Sequence, residues 1–138
     1  PTELSNLTSI EILSFQGNNL TGSIPSSFGN LTNLEELSLF MNQLNGHIPP
    51  ELGDLINLKA LMLYRNELSG AIPSEIGNLV NLTYLLLWDN RLNKIPSEIG
   101  DLSNLTALDL QNNQWHDRLL LVRNRPTLPL LLQLVYLM

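Results

Sequence analysis

One phrase of about 24 residues recurs along this chain, and such a repeat limits the fold more than any other feature. The clearest copy, 34–53, follows the pattern L-x-x-L-x-L-x-x-N-x-L-x-G-x-I-P-x-x-L-G. Complete copies also span 10–29, 58–77 and, with one residue missing, 82–100. A further copy begins at Leu105 and departs from the pattern at Trp115. Because one such unit cannot bury its apolar face alone, the repetition predicts a solenoid of stacked copies.

A short strand is predicted near the start of each copy. Leu37 and Leu39 alternate with Glu36, Ser38 and Phe40, which is the period of a strand with its leucines turned inward. The equivalent pairs are Leu13 with Phe15, Leu61 with Leu63, Leu85 with Leu87, and Leu108 with Leu110. Stacked copies place these strands side by side in a parallel sheet, about 4.8 Å apart.

An asparagine follows each predicted strand, where the chain must turn. These asparagines are Asn18, Asn42, Asn66, Asn90 and Asn113, at spacings of 24, 24, 24 and 23 residues. A buried turn leaves peptide groups in need of partners, and an amide side chain both donates and accepts hydrogen bonds. The spacing therefore predicts a structural ladder of asparagines that joins neighbouring turns.

The second half of each copy contains the segment L-x-G-x-I-P. Its prolines, Pro25, Pro49, Pro73 and Pro96, are expected to open short 3₁₀ turns. Its glycines, Gly22, Gly46 and Gly70, are expected where a side chain would strain the backbone. The acids Glu51, Glu75 and Glu98 suit the first turn of a helix facing water, which is favoured over acid chemistry. The copy at 82–100 lacks this glycine, so the edge there is expected to be locally tightened.

With this segment, the sequence resembles the plant-type leucine-rich repeat over most of its length. The resemblance implies an α/β-class leucine-rich repeat solenoid over 1–117, with parallel strands on the concave face and 3₁₀ turns on the convex face. It implies a protein or peptide ligand bound on the concave face. Such repeats are typical of receptor-like kinase ectodomains and polygalacturonase-inhibitor-like proteins, which predicts an extracellular or cell-surface location. An intracellular leucine-rich repeat scaffold remains the alternative.

Composition and motifs argue against several other classes of function. The net charge is −6, and no basic stripe is present for a nucleic acid. The two histidines, His47 and His116, share no column with another histidine or a carboxylate pair, and no known catalytic or metal-binding spacing occurs. We therefore expect no catalytic residue, no metal and no cofactor, unless a catalytic domain lies elsewhere in a longer parent protein.

The candidate ligand site follows from aligning the outward strand residues by repeat. One column contains Gln16, Phe40, Tyr64, Trp88 and Gln111, so three aromatic residues fall on adjacent strands. The predicted ligand-binding residues are Phe40, Met62, Tyr64, Arg65, Tyr84, Leu86, Trp88 and Asp89. Exposed apolar patches of this kind mark interaction surfaces, and Tyr, Trp and Met are enriched at interface centres. The competing interpretation is that the aromatic residues only stack on one another.

Five Asn-Leu-Thr sequons occur, and glycosylation and simple repeat consensus explain them about equally well. The candidate glycosylation sites are Asn6, Asn19, Asn30, Asn81 and Asn104. Use of any of them depends on entry into the secretory pathway. Since the sequence contains no cysteine, it gives no evidence on the redox compartment.

The composition changes at Arg118, and the segment 118–138 is mostly apolar. Its final apolar run, 128–138, is shorter than the ~20 residues that span a bilayer. Helical spacing within it favours a C-terminal cap, while a truncated membrane span and a gene-model artefact remain alternatives. The chain also opens within a repeat at Pro1, so we expect a fragment of a longer protein rather than an uncapped array.

Overall fold

A computed structural model describes Leu4 and residues 6–116, which form a solenoid of stacked coils. Each coil contains a first short strand, a second short strand and a 3₁₀ helix. The predicted tail, 118–138, and Asp117 lie outside the described residues. Within the described part of the chain, no helix is long and apolar enough to cross a membrane.

The first strands form a five-stranded parallel sheet, as predicted. They are β1 (Ile12–Ser14), β3 (Glu36–Ser38), β5 (Ala60–Met62), β7 (Tyr84–Leu86) and β9 (Ala107–Asp109), in that spatial order. The register keeps equivalent residues opposite one another, so that Leu13 faces Leu37 and Leu37 faces Leu61. The sheet therefore converts the repeat spacing of the sequence directly into columns on its surface.

The second strands form another parallel sheet, which the sequence did not lead us to predict. They are β2 (Thr21–Ser23), β4 (Gln43–Gly46), β6 (Glu67–Ala71) and β8 (Arg91–Lys94), in that spatial order. Gly22, Gly46 and Gly70 lie in these strands with φ of 82°, 76° and 80°, a region that side chains disfavour. The register shifts between Gly70 and Ala71, opposite the repeat that lacks one residue.

The 3₁₀ helices begin directly after the predicted prolines. They span Ser26–Asn30, Pro50–Asp54, Ser74–Asn78 and Ser97–Asp101. A glycine lies inside each helix, and successive helices pack closely at this point. A Cβ built on Gly53 would lie 2.6 Å from the Glu75 Cβ and still closer to the Glu75 carbonyl oxygen. A glycine is thus required at position 53 by the close approach of the next helix's backbone.

One continuous apolar core lies between the first sheet and the 3₁₀ helices. Leu37, Leu61 and Leu85 from the strands are fully buried, as are Leu52 and Ile76 from the helices. Full burial of such a side chain contributes about 1.5–3 kcal/mol. Because each coil supplies only a few of these residues, the core exists only when neighbouring coils are stacked.

Candidate functional site

A ladder of asparagines fixes the turn that follows each strand of the first sheet. Asn66 is buried, and its Oδ1 accepts the N–H of Leu44 in the preceding coil at 3.0 Å. Its Nδ2 donates to the carbonyls of Leu39 and Leu63, each at 3.0 Å. Asn42, Asn90 and Asn113 make the same set of bonds. Asn18 differs, since its side chain bonds only the carbonyls of Phe15 and Gln16 in its own coil.

A second asparagine ladder lies at the start of each coil, and sequence reasoning missed it. The Nδ2 atoms of Asn33, Asn57, Asn81 and Asn104 each donate at 2.8 Å to a carbonyl of the preceding coil. The signal was an asparagine immediately before the first leucine of each copy after the first, at spacings of 24, 24 and 23 residues. The two ladders together hold the turns at both ends of each strand in the first sheet.

Membership of the second ladder separates the five sequons into two groups. Asn81 and Asn104 belong to the second ladder, so their Nδ2 atoms are occupied by backbone carbonyls. All five asparagines are exposed, but Asn6, Asn19 and Asn30 belong to neither ladder. A sugar attached to any of these three asparagines would leave the ladder bonds undisturbed, so they are better candidates for glycosylation than Asn81 and Asn104.

The outward side chains of the first sheet form three columns on the concave face. The first contains Ile12, Glu36, Ala60, Tyr84 and Ala107. The second contains Ser14, Ser38, Met62, Leu86 and Asp109. The third lies two residues further along and contains Gln16, Phe40, Tyr64, Trp88 and Gln111. The outward residues of β5 and β7 are all apolar. In the outer coils the second column is polar, with Ser14 on β1 and Asp109 on β9, and the third column ends in Gln16 and Gln111.

The three aromatic residues of the third column are stacked nearly parallel. The ring centroids of Phe40 and Tyr64 are 4.3 Å apart with an interplanar angle of 10°. Those of Tyr64 and Trp88 are 4.7 Å apart at 11°. Each of the three residues remains partly exposed. Because Phe40 and Trp88 stack on its two faces, Tyr64 can offer a ligand only its ring edge. Stacking and ligand contact are therefore compatible, because they use different parts of the rings.

A charged margin borders the stack. The Arg65 guanidinium lies 5.8 Å from the Trp88 ring centroid, and its Nε lies 3.7 Å from Asp89 Oδ2. The desolvation of Tyr64 within the stack raises its pKa above the usual 10.0, and the positive charge of Arg65 partly opposes this. Both charged residues are exposed, so a ligand on the stack would meet them.

Residues in this margin adopt a left-handed backbone. The values of φ are 57° at Met41, 54° at Arg65 and 56° at Asp89. Gly17 and Asn112 occupy the same position in the outer coils, at 66° and 51°. Glycine, asparagine and aspartate tolerate this region, but other side chains cost about 1–2 kcal/mol there. Met41 and Arg65 are therefore strained, and since both are exposed, core packing does not explain them.

The histidines and the acidic residues form no reactive cluster. His47 Nδ1 lies 3.0 Å from the Ser69 carbonyl, and His116 Nδ1 lies 3.4 Å from that of Asn93. Among Leu4 and residues 6–116, no group of three or more His, Asp or Glu side chains could hold a metal ion. An apolar hollow of about 330 Å³ lies at the first coil, between Leu4, Phe15 and Phe28, and is part of the core rather than of the concave face.

Comparison with protein families identifies the repeat. A family model described as Leucine Rich Repeat matches residues 9–31, 33–55, 57–79 and 81–102. No curated protein matches the chain.

Solved structures give close matches over most of the described chain. The ectodomain of the Arabidopsis thaliana receptor kinase GASSHO1/SCHENGEN3, in complex with CASPARIAN STRIP INTEGRITY FACTOR 2, is 40% identical with a TM-score of 0.81. The ectodomain of the Arabidopsis receptor kinase HAESA, in complex with an N-terminally extended IDA peptide hormone, is 43% identical with a TM-score of 0.80. A plant ice-binding protein is 30% identical with a TM-score of 0.73. Each match covers 83% of this chain, but only 14%, 20% and 38% of those chains respectively.

Proposed function

This chain belongs to the leucine-rich repeat family, and we propose that it is a non-catalytic module that binds a protein or peptide on its concave face. The observation that carries the proposal is the apolar patch on β5 and β7, bordered by the stack of Phe40, Tyr64 and Trp88. Contiguous exposed apolar patches on soluble proteins are usually interaction surfaces. The patch lies on hydrogen-bonded strands of a sheet rather than on a loop, so binding would not have to order its backbone.

The residues at the margin of the stack support the same proposal. Met41 and Arg65 occupy a backbone conformation that is unfavourable for their side chains, without burial in the core to offset the cost. Strained residues persist only where the surrounding structure holds them, and they cluster at active sites and ligand-binding sites. In the proposed complex, the aromatic stack anchors the ligand, and Arg65 and Asp89 set its register.

The module is proposed to act outside the cell, as a segment of a receptor-like or inhibitor-like protein. Two of the similar structures are ectodomains of plant receptor kinases bound to a peptide hormone or an integrity factor. This favours the extracellular proposal over an intracellular scaffold. The ice-binding protein carries less weight, because it is 30% identical to this chain, against 40% and 43% for the two ectodomains.

Binding selection from a library tests the proposal without knowledge of the natural ligand. Random displayed peptides of about twelve residues, which span roughly 40 Å when extended, are selected on the full chain. The selected peptides are then synthesised, and their affinities are measured by calorimetry for wild type and Trp88→Ala. Trp88→Ala should weaken binding by about 2 kcal/mol or more, roughly 30-fold, because central aromatic residues dominate interfaces.

The matched control is Ile56→Ala, which removes an exposed apolar side chain (56% exposed) from outside the concave columns. It should change affinity less than twofold, and both variants should retain the circular dichroism spectrum of the wild type. Peptides that bind equally well to Trp88→Ala would refute the concave site.

A further inference from the structure

Charge on the concave columns is of one sign. Among their residues, only Glu36 and Asp109 are charged, and both are acids. The bases that flank the columns are already paired: Lys59 Nζ lies 2.7 Å from Glu35 Oε2, and Arg65 faces Asp89. Neither Glu36 nor Asp109 has a basic partner among the described residues. A ligand on this face therefore meets two carboxylates whose charge is not compensated.

The two carboxylates lie at opposite corners of the apolar patch. Glu36 is on β3 and Asp109 on β9, three strands apart and two residues further along, which gives a diagonal of about 16 Å. The line between them crosses β5 between Ala60 and Met62, and crosses β7 between Tyr84 and Leu86. Tyr84 is 49% exposed, so this part of the patch is open to a ligand.

We propose that the ligand of this face is a peptide segment with an apolar centre flanked by two basic side chains about four or five residues apart. This spacing covers the diagonal in an extended chain at about 3.4 Å per residue. The apolar centre contacts Met62, Tyr84 and Leu86, and the two bases face Glu36 and Asp109. The inference rests on the proposed function, since it names the ligand class of the same site.

The same arrangement disfavours acidic ligands. An acidic flank would face Glu36 or Asp109, and the adjoining bases are held by Glu35 and Asp89. Charges at the rim of an interface act mainly on association rate and on the choice of partner. Among apolar peptides, the carboxylates should therefore favour those with basic flanks, and this preference should weaken as added salt screens the charges.

The selected peptides provide the test. Those that depend on Trp88 should be enriched in pairs of Lys or Arg that flank apolar residues, relative to the unselected library. For these peptides, the double variant E36Q/D109N should lower affinity about five- to twentyfold at low salt, since each exposed pair contributes a few fold. The control is E51Q/D54N, which removes the same charges from a 3₁₀ helix on the opposite side and should change affinity less than twofold.

The outcomes separate this inference from the proposed function. Trp88-dependent peptides without basic enrichment, or with acidic enrichment, would overturn the inference and leave the concave site standing. An equal loss of affinity in E51Q/D54N would also overturn it, because the net charge of −6 would then explain the preference. Peptides that bind independently of Trp88 would overturn the proposed function, and the inference with it.

Discussion

Asn66→Ala tests whether the first asparagine ladder stabilises the solenoid. The substitution removes the acceptor of the Leu44 N–H, and Leu44 is itself buried. It also removes a donor from the carbonyls of Leu39 and Leu63. These carbonyls keep a partner, because Leu39 also accepts from Asn42, and Leu63 also accepts from Asn90. One peptide N–H is thus orphaned, and two carbonyls each lose one of two side-chain donors.

The expected loss of stability follows from this inventory. An orphaned buried donor costs about 1–3 kcal/mol, and a carbonyl that keeps one partner costs less. Asn66→Ala should therefore destabilise the chain by about 2–3 kcal/mol. With a urea m-value of about 1–3 kcal/mol/M, the denaturation midpoint should fall by roughly 1 M.

Urea denaturation followed by far-ultraviolet circular dichroism measures this shift. Asn18→Ala is the control, because the Asn18 side chain is exposed and bonds only within its own coil. It should shift the midpoint much less than Asn66→Ala. Equal midpoints for wild type and Asn66→Ala would show that the ladder follows from the packing of the coils and does not stabilise it.

Two further predictions concern the close packing of coils and the aromatic stack. Gly53→Ala should lower the thermal unfolding midpoint markedly, because its Cβ would collide with the Glu75 backbone. Gly100→Ala is the control and should leave the midpoint unchanged, because its Cβ meets open space among the described residues. Equal midpoints for the two variants would contradict this prediction. Tyr64 should ionise above pH 10.0. Its ionisation is measured by ultraviolet absorbance as the titration step that is present in the wild type and absent from Tyr64→Phe. Since the pKa of Tyr64 is higher in the folded than in the unfolded chain, folding stability should fall as the pH rises from the unfolded pKa through the folded pKa. A titration step below pH 10 would show that the stack does not desolvate the phenol.

The repeat spacing was sufficient to predict the first sheet, its parallel order and the position of its inward leucines. Alternation at Leu37 and Leu39 identifies a strand, and a unit of 24 residues brings equivalent positions together. For that reason, the columns derived from spacing are the columns that the sheet displays. The stack of Phe40, Tyr64 and Trp88 could be anticipated, although its ring geometry depends on side-chain rotation that spacing does not specify.

The second sheet could not be predicted in the same way, whereas the second ladder left a regular spacing of asparagines in the sequence that could have indicated it. The second strands share no common alternation of burial: Thr21, Gly22 and Ser23 of β2 are all exposed, whereas β4 buries Leu44 between exposed neighbours. Their pairing depends on the coil geometry that the first sheet imposes. The strain at Met41 and Arg65 could not be predicted either, because neither methionine nor arginine is a residue type that indicates a left-handed backbone.

The bonds between coils have an evolutionary consequence. Both ladders and the register of the first sheet join each coil only to its neighbours, at a nearly constant offset. Unequal crossing-over that deletes or duplicates one whole unit would restore every bond with new partners. Loss of the unit 58–81, for example, would place Phe40 beside Trp88 and keep a stack. Recombination could thus change the side chains of the concave columns, and with them the ligand preference, in one step, while the chain continued to fold.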